Sequence, residues 1–157
     1  MSYIPPMRKL VIANRGTRNT GKTSSIKEVY YLLKSKGYRP LLEEWQYEEG
    51  RDIKAIFDVN GVKVGIESQG DQGYDMETTM DAFIEAGCEI IVTACWMQGN
   101  TYRKVYKNMG EDLDYDIIWY GHFVYQVLGA EEVQKTFNWR YAEQVVRLIE
   151  ERIEGKF

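Results

Sequence analysis

One stretch of the chain has the residue types and the spacing to bind phosphate. It reads Gly16-Thr17-Arg18-Asn19-Thr20-Gly21-Lys22-Thr23 and fills every fixed position of the pattern G-x-x-x-x-G-K-[ST]. Its glycines can take backbone conformations with positive φ, so that several N–H groups converge on phosphate oxygens. An apolar run precedes the stretch and a helical pattern follows it. The stretch therefore predicts a site for the phosphates of a nucleotide.

Each side chain after the second glycine has a predicted task. Lys22 would reach the β- and γ-phosphates, and Thr23 would place its hydroxyl on Mg²⁺. Ser24 adds a candidate contact to the α-phosphate. A helix beginning near Lys22 would direct unpaired N–H groups and partial positive charge at the anion. The predicted phosphate site comprises Gly16, Thr17, Arg18, Asn19, Thr20, Gly21, Lys22, Thr23 and Ser24.

The segment from Leu10 to Ile26 resembles the Walker A motif of the P-loop nucleoside triphosphatase superfamily. The resemblance implies a three-layer α/β fold with a mainly parallel sheet, helices on both faces and a Mg-nucleotide ligand. The chain as a whole is also similar to small bacterial and phage ATP-binding proteins that consist of little beyond this domain.

A P-loop enzyme normally has a second acidic group, at the end of a neighbouring strand, that holds Mg²⁺ directly or through water. The most apolar run, Cys88 to Ala94, ends in Thr93-Ala94-Cys95-Trp96, with no carboxylate at that end. That absence argues against the AAA, RecA and transporter-ATPase branches. Asp116 is predicted at the beginning of its strand, which is the wrong end. Glu67, at the tip of a predicted strand, and Asp71, in the loop after it, remain as candidates.

Of the two acids, we predict Asp71 as the metal-linked or water-orienting group, with Glu67 as the alternative. The predicted catalytic residues are therefore Lys22, Asp71 and Glu67, and the predicted Mg²⁺ ligands are Thr23 and Asp71.

ATP is the predicted nucleotide because two signatures of guanine-nucleotide proteins are missing. The D-x-x-G loop that senses the γ-phosphate in GTPases would here be Glu67-x-x-Gly70, with glutamate in place of aspartate. The guanine-reading pattern N-K-x-D occurs nowhere in the chain.

Basic residues outside the motif are candidates for neutralising transition-state charge, namely Arg15, Arg103, Lys104 and Lys107.

The positioning elements can be predicted from hydrophobic periodicity. Asn60-Gly61 between two strand-like runs predicts a type I′ hairpin, since such turns need positive φ at both central residues. Gly121 to Phe137 is ambiguous, with a strand-like pattern from His122 to Leu128 followed by a helical pattern from Ala130 to Lys135. The predicted strands cover about 8–13, 39–47, 52–59, 62–67, 88–94 and 115–120. One predicted helix follows the motif, and a short one follows Asn100. Two further helices are predicted at about 75–87 and 138–153.

Composition limits the classes of function. The 157 residues suit one domain, with Met1 to Met7 as a short tail. A net charge of −4 argues against nucleic acid as the main partner, because affinity for that polyanion depends on Lys and Arg. No apolar run approaches the roughly 18 residues of a membrane span. Cys88 and Cys95 have no nearby histidines and are predicted to be buried thiols in a reducing, cytoplasmic protein.

Three functions remain open from the sequence alone. The first is a Mg-ATP-binding protein that hydrolyses ATP slowly. The second is a kinase that transfers the γ-phosphate to a small molecule or nucleoside, with Asp71 contacting the acceptor hydroxyl and Tyr102 to Lys107 as a lid. The third is a nucleotide-dependent interaction module for a protein partner, without significant turnover. The sequence predicts no particular oligomeric state.

Overall fold

One mixed β-sheet organises the part of the chain that the computed structural model describes, which is residues 7–15, 22–46, 52–68, 73–95, 99–121 and 130–157. A short helix, Asn100–Arg103, continues directly into a π-helical segment, Lys104–Asp112. The strands are β1 (Leu10–Arg15), β2 (Arg39–Gln46), β3 (Asp52–Val59), β4 (Val62–Glu67), β5 (Ile90–Cys95) and β6 (Asp116–Gly121). The helices are α1 (Lys22–Ser35), α2 (Gly73–Glu85), α3 (Asn100–Arg103) and α4 (Ala130–Ile153).

The strand order across the sheet is β2-β3-β4-β5-β1-β6. Strand β1 pairs in parallel with both β5 and β6, and β4 pairs in parallel with β5. The pairs β2–β3 and β3–β4 are antiparallel, so that only β3 runs against the other five strands. The prediction of an α/β fold with a mainly parallel sheet and an antiparallel hairpin is confirmed.

The hairpin turn has the predicted backbone conformation. Asn60 and Gly61 have φ values of 52° and 90°. The Asp58 side chain supports the turn, since its Oδ1 accepts a hydrogen bond of 2.9 Å from the Gly61 N–H. The register of β3 and β4 therefore follows from the local turn chemistry.

Side chains of β1 alternate between two buried layers, as the period of two in a strand requires. Leu10 and Ile12 pack in the layer formed with α1 and α4, whereas Val11 and Ala13 pack in the layer formed with α2 and the π-helical segment. Helices therefore cover both faces of the sheet, as predicted. The predicted inner faces of α1 and α4 are buried, including Ile26, Val29, Tyr30 and Leu33 in α1 and Ala142, Val145, Val146 and Ile149 in α4.

The predicted element boundaries differ from the structure mainly in the last third of the chain. Helix α4 begins at Ala130, so residues 130–137 of the ambiguous segment are helical. The first turns of α4 lack an apolar stripe, which explains the ambiguity, while Glu131 and Glu132 suit the positive end of the helix dipole. The strand-like residues 122–129 lie outside the described ranges.

An ion-pair cluster ties the amino-terminal edge of the sheet to the end of α4. Asp116, the first residue of β6, accepts a hydrogen bond of 2.9 Å from Arg8 and another from the buried guanidinium of Arg152. Arg152 also donates two bonds of 3.1 and 3.2 Å to the Arg8 carbonyl oxygen. Asp116 therefore lies at the opposite edge from the strand ends, as predicted, and has a structural partner there.

Two expectations about the environment of the chain can be compared with the structure. Cys88 and Cys95 are both buried thiols, and burial raises the pKa of the Cys88 thiol to about 12. Both cysteines therefore act as small buried side chains, as predicted.

Across the described ranges, none of the helices combines the length and the apolar character that crossing a bilayer requires.

Gly65 in β4 leaves room for the ring of Phe83 from α2. A Cβ at position 65 would lie 2.6 Å from Phe83 Cδ2, and Phe83 is fully buried. We expect Gly65→Ala to lower the free energy of unfolding by about 1 to 2 kcal/mol, because an overpacked core must shift. Urea denaturation measures this change.

The matched control is Gly121→Ala, at the end of β6. Among the residues that the structure describes, no atom lies within 4 Å of a Cβ built at Gly121. We expect this variant to change the free energy of unfolding by less than about 0.5 kcal/mol. Equal effects of the two substitutions would contradict the proposed contact between Gly65 and Phe83.

Candidate functional site

Four parallel strands end together at one edge of the sheet, which we call the carboxyl edge. Strand β1 ends at Arg15, β4 at Glu67, β5 at Cys95 and β6 at Gly121. Helix α1 begins at Lys22, after the connection that leaves β1 at this edge. Ligands of open α/β sheets bind outside the carboxyl ends of the strands. The carboxyl edge is therefore the candidate site.

The predicted phosphate-binding stretch connects β1 to α1 at this edge. Gly16, Thr17, Arg18, Asn19, Thr20 and Gly21 lie outside the described residues, as does Asp71. The backbones of Lys22 and Thr23 form the first turn of α1, but their side chains are outside the description. Ser24 is exposed in the same turn. The roles assigned to these residues stay predictions.

A buried hydrogen bond joins the two ends of this connection. Asn14 Nδ2 donates to Ser25 Oγ at 3.0 Å, and both side chains are fully buried. Asn14 is next to the last residue of β1, and Ser25 lies in the first turn of α1. Burying these groups without hydrogen bonds would cost about 1 to 3 kcal/mol each. The bond therefore fixes the end of β1 relative to the beginning of α1.

Glu67 is a fully buried carboxylate at the carboxyl edge. The Thr93 hydroxyl of β5 donates to Glu67 Oε2 at 2.7 Å, and Thr93 is also fully buried. The two residues are directly paired in the register of β4 and β5. Thr93 therefore links the predicted acid of β4 to the neighbouring strand.

The same row of the sheet continues from Thr93 to β1. Thr93 is paired in register with Ala13, which precedes Asn14. Because β5 lies between β4 and β1, the main chains of Glu67 and Ala13 are two strand spacings apart, roughly 10 Å. The structure thus places Glu67, Thr93 and Ala13 in one row across three neighbouring strands.

Ser68 keeps the chain in the sheet for one residue after Glu67. The Ile53 N–H donates to Ser68 Oγ at 2.9 Å, and Ser68 N donates to the Ile53 carbonyl at 3.2 Å. The Ser68 hydroxyl in turn donates to Asp52 Oδ1 at 3.2 Å. The backbone of Glu67 is therefore held on both sides, by β3 and by β5.

The basic residues after β5 have acidic or polar partners. Lys104, whose side chain is only 9% exposed, forms an ion pair with Asp81 of α2. Lys107 pairs with Glu111 at 3.0 Å. Arg103 donates to the Asn100 side chain in the first turn of α3. Lys104 therefore links the π-helical segment to α2, whereas Lys107 and Arg103 have partners close to them in the chain.

Aromatic rings hold α3 against β6. Tyr102 stacks on Trp119 with ring centroids 5.2 Å apart, and on Tyr106 with centroids 5.8 Å apart. In the π-helical segment, Gly110 allows close approach to β6, since a Cβ there would lie 2.7 Å from Ile117 Cδ1. The segment predicted as a lid is therefore packed on the edge strand of the sheet.

The donor chemistry at the carboxyl edge fits Mg²⁺. This ion prefers oxygen ligands and is usually bound through one or two carboxylates together with substrate phosphates. Glu67 supplies one carboxylate at the edge. In the ranges that the structure describes, His, Cys, Asp and Glu form no group of three or more that could hold a metal ion without such a ligand.

Sequence reasoning missed Thr93, Asn14 and Ser25. Thr93 is the single polar residue within the apolar β5 sequence Ile-Ile-Val-Thr-Ala-Cys. Asn14 is likewise the polar residue that follows an apolar run in β1. An isolated polar residue near the end of a buried strand is the signal that could have identified both.

No protein-family model, curated protein or solved structure matches the chain. Any functional assignment therefore depends on the sequence motif and on the residues that the fold brings to the carboxyl edge.

Proposed function

We propose that the chain is a P-loop nucleotide-binding protein that binds Mg-ATP and hydrolyses it slowly. The observation that carries the proposal is the position of the motif. A complete G-x-x-x-x-G-K-[ST] sequence connects β1, an interior parallel strand, to α1, whose first residue is Lys22. Phosphate loops occur in this strand–loop–helix context, with the anion at the helix N-terminus.

The proposed chemistry assigns a task to each part of the site. The glycine-rich backbone and Lys22 hold the β- and γ-phosphates, and Glu67 or Asp71 orients the attacking water. Bound magnesium would neutralise charge on the phosphates. Catalysis in such a site consists mainly of positioning and charge stabilisation. Buried bonds from Asn14 and Thr93 support the rigidity that positioning requires.

Turnover assays on the wild-type chain test the proposal against its alternatives. We expect Mg²⁺-dependent release of inorganic phosphate from ATP without an added acceptor. ADP formation that appears only with an added nucleoside or metabolite would instead identify a kinase. Tight ATP binding without either product would identify a nucleotide-dependent interaction module. A chain that binds no nucleoside triphosphate would overturn the proposal itself.

A further inference from the structure

We propose that the buried amide of Asn138 hydrogen-bonds the adenine base of the bound nucleotide and so makes the chain select ATP. The inference rests on the proposed function and deepens it, because it names a residue that contacts the base. It is carried by the burial of Asn138 and by its position in α4.

The first step concerns the side-chain amide of Asn138. The residue is only 7% exposed. Within the described ranges, neither the oxygen nor the nitrogen of this amide has a hydrogen-bond partner. Burying an amide without hydrogen bonds is unfavourable, and nearly all buried amides in proteins are bonded. Asn138 therefore offers an acceptor and two donors to a ligand.

The second step places Asn138 at the carboxyl edge. Near the end of α4, Arg152 contacts Asp116, the first residue of β6. About three turns earlier, the ring centroids of Tyr141 and Tyr120 are 4.9 Å apart, and Tyr120 is next to the last residue of β6. Asn138 precedes Tyr141 by three residues, which is roughly 4.5 Å further along the helix axis. Asn138 therefore lies level with the carboxyl ends of the strands.

The third step concerns the side of α4 on which Asn138 lies. Tyr141, Ala142 and Val145 follow it by three, four and seven residues, so that they share its side of the helix. All three are buried in the layer that α4 forms with α1 and the sheet. The amide of Asn138 is therefore on the inner side of α4, at the carboxyl edge.

The fourth step relates Asn138 to the predicted phosphate site. Helices α1 and α4 lie side by side and both run away from the carboxyl edge. Lys36, which follows α1, pairs with Glu150 of α4 at 2.7 Å, and these residues are 114 positions apart. The same offset places Asn138 level with Ser24, in the first turn of α1. Since adjacent helix axes are roughly 8–10 Å apart, Asn138 lies beside the phosphate site and not within it.

That position fits the base of a nucleotide better than its phosphates. Phosphates at the N-terminus of α1 would lie within hydrogen-bond reach of its first turn, and the ribose separates them from the base. The amide of Asn138 presents an acceptor beside a donor, which matches the 6-amino group and N7 of adenine. Guanine presents two acceptors at the same edge, so that it would use the donor alone. The amide therefore favours adenine.

The test compares ATP with inorganic tripolyphosphate, which has the phosphate contacts alone. Asn138→Leu has nearly the same shape as the wild-type residue but no polar atoms. We expect its affinity for Mg-ATP, measured by isothermal titration, to fall about tenfold, while its affinity for tripolyphosphate stays within about twofold of wild type. Lys22→Ala should weaken the binding of both ligands, because it acts on the phosphates.

A change in the ligand matches the change in the protein. Purine riboside triphosphate lacks the 6-amino group of ATP but keeps N7. Wild type should bind it about fivefold more weakly than ATP, whereas Asn138→Leu should bind the two nucleotides equally. Wild type should also bind GTP more weakly than ATP, and this preference should be lost in Asn138→Leu.

Two further measurements separate a contact with the base from a structural role. An amide without partners does not stabilise the fold, so the ligand-free Asn138→Leu variant should melt no lower than wild type. Gln144→Leu is the matched control, because it removes an exposed amide from the same helix, where Gln144 accepts a hydrogen bond from Tyr120. Its affinity for ATP should stay within about twofold of wild type.

Four results would overturn the inference. Equal losses of affinity for ATP and tripolyphosphate in Asn138→Leu would show that Asn138 only supports the fold of the site. Unchanged ATP affinity in this variant would exclude a contact with the base and leave the proposed function intact. Equal affinities of wild type for ATP and GTP would contradict the selection of adenine. A wild-type chain that binds neither ATP nor tripolyphosphate would overturn the proposed function as well. If Asn138→Leu does not fold, Asn138→Ala replaces it in each comparison.

Discussion

Replacing Lys22 by alanine is expected to weaken the binding of Mg-ATP about 100-fold, since bonds from one cation to phosphate oxygens contribute roughly 1.5 to 3 kcal/mol. Lys22 is the first residue of α1 and completes the motif that follows β1. The loss should be largest for ATP, smaller for ADP and nearly absent for AMP, because the predicted contacts are to the β- and γ-phosphates. Isothermal titration with the three nucleotides measures this order.

The matched control is Lys27→Ala. It removes the same charge further along α1, from a partly buried position beyond the first turn. We expect its affinity for ATP to stay within about twofold of wild type, since the influence of a charge on a helix end falls off beyond the first turn. Unchanged ATP affinity in Lys22→Ala would contradict the assignment of the motif as a phosphate site.

Replacing Arg152 by methionine is expected to lower the free energy of unfolding by about 3 kcal/mol, the lower end of the range for removing one partner of a buried ion pair. The Arg152 side chain is 8% exposed and contacts both Asp116 and the Arg8 carbonyl oxygen. Methionine preserves most of the buried apolar contact but none of these bonds. The lower end of the range applies because Asp116 is 38% exposed and keeps its partner Arg8. Chemical denaturation at neutral pH measures the change.

The pH dependence of stability gives a second readout for the same cluster. Hydrogen bonds from Arg8, and after it from Arg152, lower the pKa of Asp116 below its ordinary value. A carboxyl whose pKa is lowered by folding stabilises the protein above its unfolded pKa, about 3.9, and loses this contribution as the pH falls further. The difference in the free energy of unfolding between wild type and Arg152→Met should therefore become smaller below about pH 4. Part of that difference should persist, because the hydrogen bonds from Arg152 to the Arg8 carbonyl oxygen do not titrate.

Arg140→Met is the control on the same helix. Arg140 is exposed, so that its replacement should change the free energy of unfolding by less than about 0.5 kcal/mol at every pH. If Arg152→Met were as stable as this control, the ion-pair cluster would make no net contribution to folding.

Local patterns predicted the features that depend on neighbouring residues. The Asn60-Gly61 turn was predictable because only a few residue types tolerate positive φ at both positions, and it sets the pairing of β3 with β4. The buried faces of α1 and α4 were predictable because apolar residues recur at helical spacing along each of them. The helical pattern from Ala130 to Lys135 was also predictable, but its continuation without a break into the helix predicted from Asn138 was not.

The sequence by itself determined the strand–motif–helix order around Gly16 to Thr23, and with it the hypothesis of phosphate binding. It also singled out Glu67 and Asp71 as candidate acids, because each follows or ends a predicted strand. These conclusions need only residue types and spacings within a short window, where φ and ψ preferences and side-chain periodicity act directly.

Only the tertiary structure decided which strand lies between Glu67 and the motif. The order β4-β5-β1 places Thr93 beside Glu67, although the two residues are 26 positions apart in the chain. It likewise brings Arg152 to Asp116, 36 positions away, at the opposite edge of the sheet. The pairing of distant strands depends on how the apolar surface of the whole sheet is buried between two helical layers. A short window of sequence contains only part of that surface, so it does not determine which strands become neighbours.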